Sequence, residues 1–264
     1  MEFIKELIKN RKMILRLGKS DFKNRFAGTS LGAIWGFIQP FIFMAMYVIV
    51  FQYILKTKSA GDDPFIVWYL PGMAMWTFLN DAILTASNSI RAYSYLVKKV
   101  VFPVDIIPVI SLSSSSIIGI FLFAVATCVC AGFGYIGNFL QVFYMAFCAI
   151  AFIVAISRLT SALATLIPDV VQLLSVTMQL FFWLTPVIWN LNMLEGHNTL
   201  LIGAKCLPLT YLVTGLRDAF INESNIVTES NWRYTIVFWC VTIIIFLWGN
   251  AVFKKSKKDF ADVL

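Results

Sequence analysis

Six long apolar runs decide what this chain can fold into. They cover approximately residues 31–55, 65–90, 105–132, 139–157, 170–190 and 233–253. Each is long enough for a helix to cross roughly 30 Å of hydrocarbon, which takes about 20 residues. Inside a bilayer every backbone N–H and C=O has to be satisfied within the protein, and a continuous apolar run does this as a helix. Only 13% of the chain is charged and 59% is hydrophobic, against roughly 25% charge in a soluble domain. The expected fold is all-α and integral to the membrane. It has an N-terminal amphipathic interface helix over 1–28, six transmembrane helices over 31–253 and a tail over 254–264, in one domain. A further apolar stretch, 199–216, is interrupted by Lys205 and Pro208. It reads as a re-entrant or interfacial hairpin before the last span.

The basic residues orient this frame. With six spans, all of the 21 Lys and Arg fall on the side that carries both termini, except Lys56, Lys58, Lys205, Arg217 and Arg233. Cytoplasmic loops hold the excess of Lys and Arg, so both ends are expected in the cytoplasm. A seventh span would put the tail FKKSKKDF outside, against the same rule. The net charge of +7 is therefore expected on a cytoplasmic face, beside anionic headgroups and a partner protein, and does not point to nucleic acid.

Several chemistries find no support. Gly18-Lys19-Ser20 looks like the end of a phosphate-binding loop, but that loop needs a glycine five residues before Gly18, where Met13 stands, and a buried strand ahead of it. Arg11, Lys12 and Arg16 occupy that place instead. Cys128, Cys130, Cys148 and Cys240 lie inside apolar runs and Cys206 in a more polar region, with no spacing for a disulfide framework or a metal. His197 is the single histidine and has no Cys or carboxylate cluster around it. No metal and no catalytic residue is expected. The N-terminus alternates charge with apolar residues and lacks a cleavage site, so no signal peptide is expected.

Gly18-Lys19-Ser20 is better read as a slice through a helix. Lys5, Lys9, Lys12, Arg16, Lys19 and Lys23 recur at steps of three and four, with Ile4, Leu7, Ile8, Leu15, Phe22 and Phe26 at the same period on another face. This is a surface helix with a basic stripe. It serves either as an anchor or as the dock for a cytoplasmic partner. The connection RAYSYLVKKVVFPVDIIP, Arg91 to Pro108, favours the dock. Leu96 to Phe102 reads as a short amphipathic helix across the cytoplasmic mouth, kept out of lipid by Lys98 and Lys99 and ended by Pro103. The alternative is a basic loop that only fixes topology.

Several motifs then carry a resemblance. LGAIWGFIQP (Leu31 to Pro40), LPGMAMWTFLNDAILTASNSI (Leu70 to Ile90), LVKKVVFPVDIIP, WLTPVIW (Trp183 to Trp189), LPLTYLVTGLRDAF (Leu207 to Phe220) and the terminal FKKSKKDFADVL occur in this order. The chain resembles the ABC-2 type permeases, and more closely their polysaccharide exporters, the O-antigen and teichoic-acid permeases. The resemblance implies a coupling helix in the first cytoplasmic loop and re-entrant helices before the last span. It implies two permease chains paired with two separate ATPase chains, which hold the ATP and Mg, so that this chain needs no cofactor of its own. It implies a lipid-linked glycan as substrate and the bacterial cytoplasmic membrane as location. The chain departs from the family pattern at Pro168-Asp169, where relatives carry Arg-Asp. It departs again at Leu207-Pro208, for Asn-Pro, and at Thr185-Pro186-Val187, for Ser-Pro-Val.

On that reading Lys12, Arg16 and Lys19, with Leu96, Lys98, Lys99 and Phe102, are expected to couple to the ATPase. Asp81 lies in the second span, where an ionisable residue is a functional candidate by default. Asn80 accompanies it, and Asn88 follows seven residues on, on the same face; a structural interhelix hydrogen bond is the plainer alternative. Sugar rings pack their C–H faces on aromatic rings, so Tyr47, Trp76, Phe78, Phe181, Phe182 and Trp183 are candidates for the substrate path. An interfacial aromatic belt accounts for Trp68, Trp189, Trp232 and Trp248. Arg217 and Lys205 in the outer hairpin would meet an anionic lipid diphosphate or polymer, or else headgroups. Other functions fit less well. A permease for a small drug or haem would share the architecture. A membrane-embedded glycosyl- or acyl-transferase needs a catalytic His or paired acids, and a proton-coupled carrier needs membrane acids and internal repeats.

Overall fold

The computed structural model describes residues 2–56, 63–99, 102–194, 196–221 and 232–263. Lys58, the two valines of KKVVFP and the final Leu264 lie outside the described residues, as does the side chain of Lys99. The described residues are mostly helical, with no strand among them. In chain order the helices are α1 (Glu2–Lys9), α2 (Arg11–Arg25), α3 (Trp35–Val48), α4 (Phe65–Ala92), α5 (Ser94–Lys99) and α6 (Ile107–Gly132). They are followed by α7 (Phe139–Leu166), α8 (Asp169–Leu184), α9 (Asn198–Cys206), α10 (Pro208–Ile221), α11 (Trp232–Ser256) and α12 (Phe260–Val263).

Four stretches are long and apolar enough to cross a membrane: Gly32–Ile54, Val104–Gly132, Phe139–Leu166 and Trp232–Ser256. The pair α9 and α10, bent by 85° at the break between them, makes a fifth if taken as one. The protein is thus a multi-pass membrane protein. The second and fifth apolar runs also form helices but differ in character. α4 has 28 residues, about 42 Å at 1.5 Å per residue, yet carries Asn80, Asp81, Asn88 and Arg91. Most of its side chains are buried by protein rather than exposed to lipid. α8 has only 16 residues, because the chain leaves the helix at Thr185, just before Pro186.

Besides α8, which stops at Leu184 where a span to 190 was expected, two features differ from the expectation. The fourth span does not end at 157: α7 runs on to Leu166, since no Gly or Pro interrupts it before Pro168. Arg158, expected in a connecting loop, therefore sits inside a helix. The interface helix is two helices joined at Asn10, whose Nδ2 donates to the Glu6 carbonyl, the kind of local bond by which Asn competes with helical backbone.

α4 is the axis of the bundle and packs against α3, α6, α7, α8 and α10. Between membrane helices lipid supplies no hydrophobic drive, so close packing and interhelical hydrogen bonds hold the contacts. Ala74, Ala82 and Ala86 of α4 are fully buried, and Ser87 Oγ meets Thr160 Oγ1 of α7 at 2.6 Å. α2 lies against α6 through Ile14, Gly18 and Phe22. A Cβ at Gly18 would stand 1.9 Å from Ser113 Oγ. This glycine serves a close helix crossing and belongs to no phosphate loop. A second apolar cluster forms at the end of the bundle that holds both termini. It joins Ile14 of α2, Ile90 of α4 and Tyr93 just past it, Ile106 and Ile107 at the start of α6, Ala162 of α7, Phe253 of α11 and Phe260 of α12.

Candidate functional site

The expected path residues fall into three groups. Tyr47, Trp76 and Phe182 come together. The Phe182 ring lies 5.5 Å from Trp76 and 6.1 Å from Tyr47, and Tyr47 continues the series to Phe51 and Tyr69, each at 6.1 Å. Phe181 is half-buried and packs against the same core. Trp183 flanks Phe182 at 5.6 Å, but its side chain is 64% exposed and its carbonyl accepts a bond from Trp189 Nε1. Phe78 is not part of this group. It is buried on another side of α4, edge-on to Phe123 and against Gly119, where a Cβ would come within 2.5 Å of its ring.

The aromatic series runs from Trp76 into a cavity of about 350 Å³. Its lining mixes aromatic residues, Phe26, Trp35, Phe43 and Trp76, with the polar Gln39, Thr77, Asn80 and Asp81. Asp81 has a partner that the sequence did not suggest. Arg25, at the end of α2, places Nη1 3.2 Å from Asp81 Oδ2, Nε 3.2 Å from Asp21, and Nη2 within 3.1 Å of Ser115 Oγ. Tyr93 donates to Asp21 at 2.6 Å, and burial together with that bond pushes its phenol well above the ordinary tyrosine range. One arginine thus ties α2 to α4 and α6 beside the cavity. Neither Asn80 nor Asn88 is its partner; Asn80 lines the cavity and Asn88 is exposed.

Arg217 is buried, at 5% exposure. Its Nε donates to the Trp68 carbonyl at 2.9 Å and its Nη2 to the carbonyls of Pro186 and Val187 at 2.8 and 3.0 Å. The guanidinium lies 3.7 Å over the Trp68 ring. Gly72 leaves the room for this crossing, since a Cβ there would stand 2.7 Å from Nη2. The side chain expected to reach outward for an anion is turned inward, where it fastens α10 to α4 and to the turn after α8. Its expected companion Lys205 lies 5.6 Å from the ring of Tyr234.

The expected coupling residues lie along the end of the bundle that carries the termini. Lys12, Arg16, Lys19 and Lys98 are exposed. Leu96 and Phe102 pack against the second apolar cluster. Beside them is an ion network that sequence reasoning missed. Arg158 is 1% exposed and donates from Nη2 to Asp105 Oδ1 at 3.1 Å and to Asn250 Oδ1 at 3.0 Å. Its guanidinium sits between the rings of Phe3 and Phe253, at 4.1 and 4.5 Å. Lys257 of the tail pairs with the other oxygen of Asp105. The available signal was the helical period running through Arg158 without a break to Leu166. Among the described residues no group of His, Cys, Asp and Glu has the arrangement to hold a metal ion.

The fold is that of a multi-pass helical membrane protein whose cavity is lined by aromatic and polar residues. The ABC-2 type transporter family matches residues 13–221 of the chain, and the protein belongs to that family. It is similar to two proteins of Klebsiella pneumoniae named O-antigen export system permease protein RfbA. One is 23% identical over 263 residues and the other 22% over 258, each match covering 96% of this chain and 95% of the relative. A Myxococcus xanthus protein of the same name is 20% identical over 268 residues, covering 99% of both.

Proposed function

We propose that the chain is the membrane permease of an ABC exporter that moves a lipid-linked cell-surface polysaccharide across the bacterial cytoplasmic membrane. The observation that carries this reading is full-length similarity to three O-antigen export permeases, joined to an aromatic and polar cavity suited to sugar. Six crossings are proposed. Four are the apolar stretches described above, and α4 and α8 supply the other two. α4 can be polar because its neighbours cover it, and α8 is completed by the turn through Trp189. The α9–α10 pair is read as the re-entrant hairpin on the outer side, with Arg217 as its fastening rather than as an anion site. α1 and α2 are read as the interface helix, with both termini in the cytoplasm.

Two copies of the permease are proposed to work with two copies of a separate ATPase subunit, which supplies the ATP and Mg chemistry. The contact is proposed at the basic stripe of α2 and at α5. The exposure of Lys12, Arg16, Lys19 and Lys98 beside a shared apolar cluster supports it. A load on α5 would then pass through Leu96 and Phe102 into α2, α4 and α6. The tagged chain, purified gently from its own cells, should bring an ATP-hydrolysing subunit with it and have no hydrolysis of its own. Reversal of Lys98 and Lys99 to Glu should separate the two while the membrane protein stays folded. Unchanged co-purification and export would reduce the loop to a topology signal.

A further inference from the structure

The cavity beside Arg25 has a charge imbalance that its aromatic lining does not require. Arg25 brings one positive charge and is flanked at 3.2 Å by both Asp21 and Asp81. None of the residues lining the cavity is basic, and Asp81 is its single acidic one. Asp81 keeps 32% of its side chain exposed while paired, so its carboxylate serves Arg25 and the cavity at once. Counted together with Arg25 and Asp21, which stand behind the lining, the cluster carries one unit of negative charge. A negative cluster beside the cavity repels an anion. An ionised carboxylate only accepts hydrogen bonds, so it welcomes donors, among which sugar hydroxyls are the neutral ones. Trp76 and Trp35 provide flat apolar faces, and Gln39, Thr77 and Asn80 provide further hydrogen-bonding groups around Asp81.

We propose that this cavity is a specificity site that admits an uncharged sugar unit and rejects one bearing a carboxylate or phosphate. The ring C–H face rests on Trp76, and hydroxyls donate to Asp81, which is held in place by Arg25, itself anchored by Asp21. The inference rests on the export reading and deepens it. The repulsion acts at the one unit that occupies the cavity, so acidic sugars elsewhere in a chain are not barred by it.

The test uses the full chain in nanodiscs and saturation-transfer NMR, which detects weak binding, with two probes, methyl α-glucoside and the corresponding methyl glucuronide. They differ by a carboxylate in place of one CH₂OH. The glucoside should receive saturation mainly at its ring C–H protons and lose it in Trp76→Leu. The glucuronide should bind about tenfold more weakly or worse, the order expected for one unit charge at short range in an intermediate dielectric. Asp81→Asn, which keeps the shape and removes the charge, should bring the two probes close together. Asp81→Glu, which keeps the charge, should preserve the difference. Equal binding of both probes to the wild type, no binding of either, or a difference that persists in Asp81→Asn overturns the proposal. Removing the chain from its host separates this from the export reading. Loss of the surface glycan alongside failed discrimination would discard the specificity site alone, whereas an intact surface glycan would discard export itself.

Discussion

Arg158 shows what a single buried charge does in this bundle. Its guanidinium joins Asp105 ahead of α6, Asn250 of α11 and the rings of Phe3 and Phe253. Removing one member of a buried ion pair costs up to about 3–5 kcal/mol, a loss that Lys257 lessens here because it also pairs with Asp105, while one interhelical hydrogen bond in a membrane is worth about 0.6 kcal/mol. Arg158→Ala should therefore lower stability far more than Asn250→Ala, as measured by thermal unfolding in nanodiscs. Similar midpoints for the two variants would contradict this account of the network. The aromatic residues divide in the same way. Phe182→Leu should cut export several-fold at normal protein level, because it removes the ring between Tyr47 and Trp76. Phe78→Leu should reduce stability and leave the export rate per folded molecule unchanged, because Phe78 fills space against Gly119. Labelled-glycan export divided by protein amount separates the two. Asp81 was legible from sequence as a charge in an apolar run. Its partner was not, because Arg25 lies 56 residues away and reads locally as one more charge of a basic helix.

Among the elements, those that were legible are the ones set by local pattern. The apolar runs gave helices at all six expected places, and Pro103 marks a real interruption, whereas the fifth run, expected to 190, stops at Leu184 ahead of Pro186. The misread ends are those where local and tertiary signals part. α7 continues past 157 because nothing in its sequence stops it, and a charge there looked like a loop only while its partners were unknown. The face that α2 buries was also partly misread. Phe22 is buried, but Leu15 and Ile8 are more than 60% exposed, while Ile14 and Gly18 face α6. A glycine chosen for close approach carries no hydrophobic signal in a periodicity argument. The short α12 was not legible at all. Its Phe260 is fully buried, edge-on to Phe253 at 5.5 Å, and α12 touches α5. The tail therefore clamps the proposed coupling helix from behind. Phe260→Ala should speed amide hydrogen exchange across 94–99 and leave exchange in α4 unaltered. Unchanged exchange in α5 would show that the tail does not brace it.

At the scale of the whole molecule, the basic end and the half-polar cavity are connected through few parts. α2 carries exposed Lys12, Arg16 and Lys19 on one side and Gly18 packed on α6 on the other, and it ends in the Arg25 that holds Asp81 at the cavity wall. A movement of the proposed ATPase against α2 and α5 would thus reach the cavity within one helix length. The architecture was legible because a bilayer admits so few backbone solutions for apolar runs. The cavity was not, because its lining comes from Phe26 just past α2 and from α3, α4 and α6, whose contacts no local pattern records. The central claim is that this chain carries a finished glycan outward. It is tested most directly by deleting the chain from its host and measuring, in the same cells, lipid-linked glycan inside the cytoplasmic membrane and polysaccharide at the surface. The account predicts that the surface polymer disappears while the lipid-linked form accumulates inside, and that wild-type chain reverses both. Surface polysaccharide at its normal level, with no accumulation inside, would contradict it.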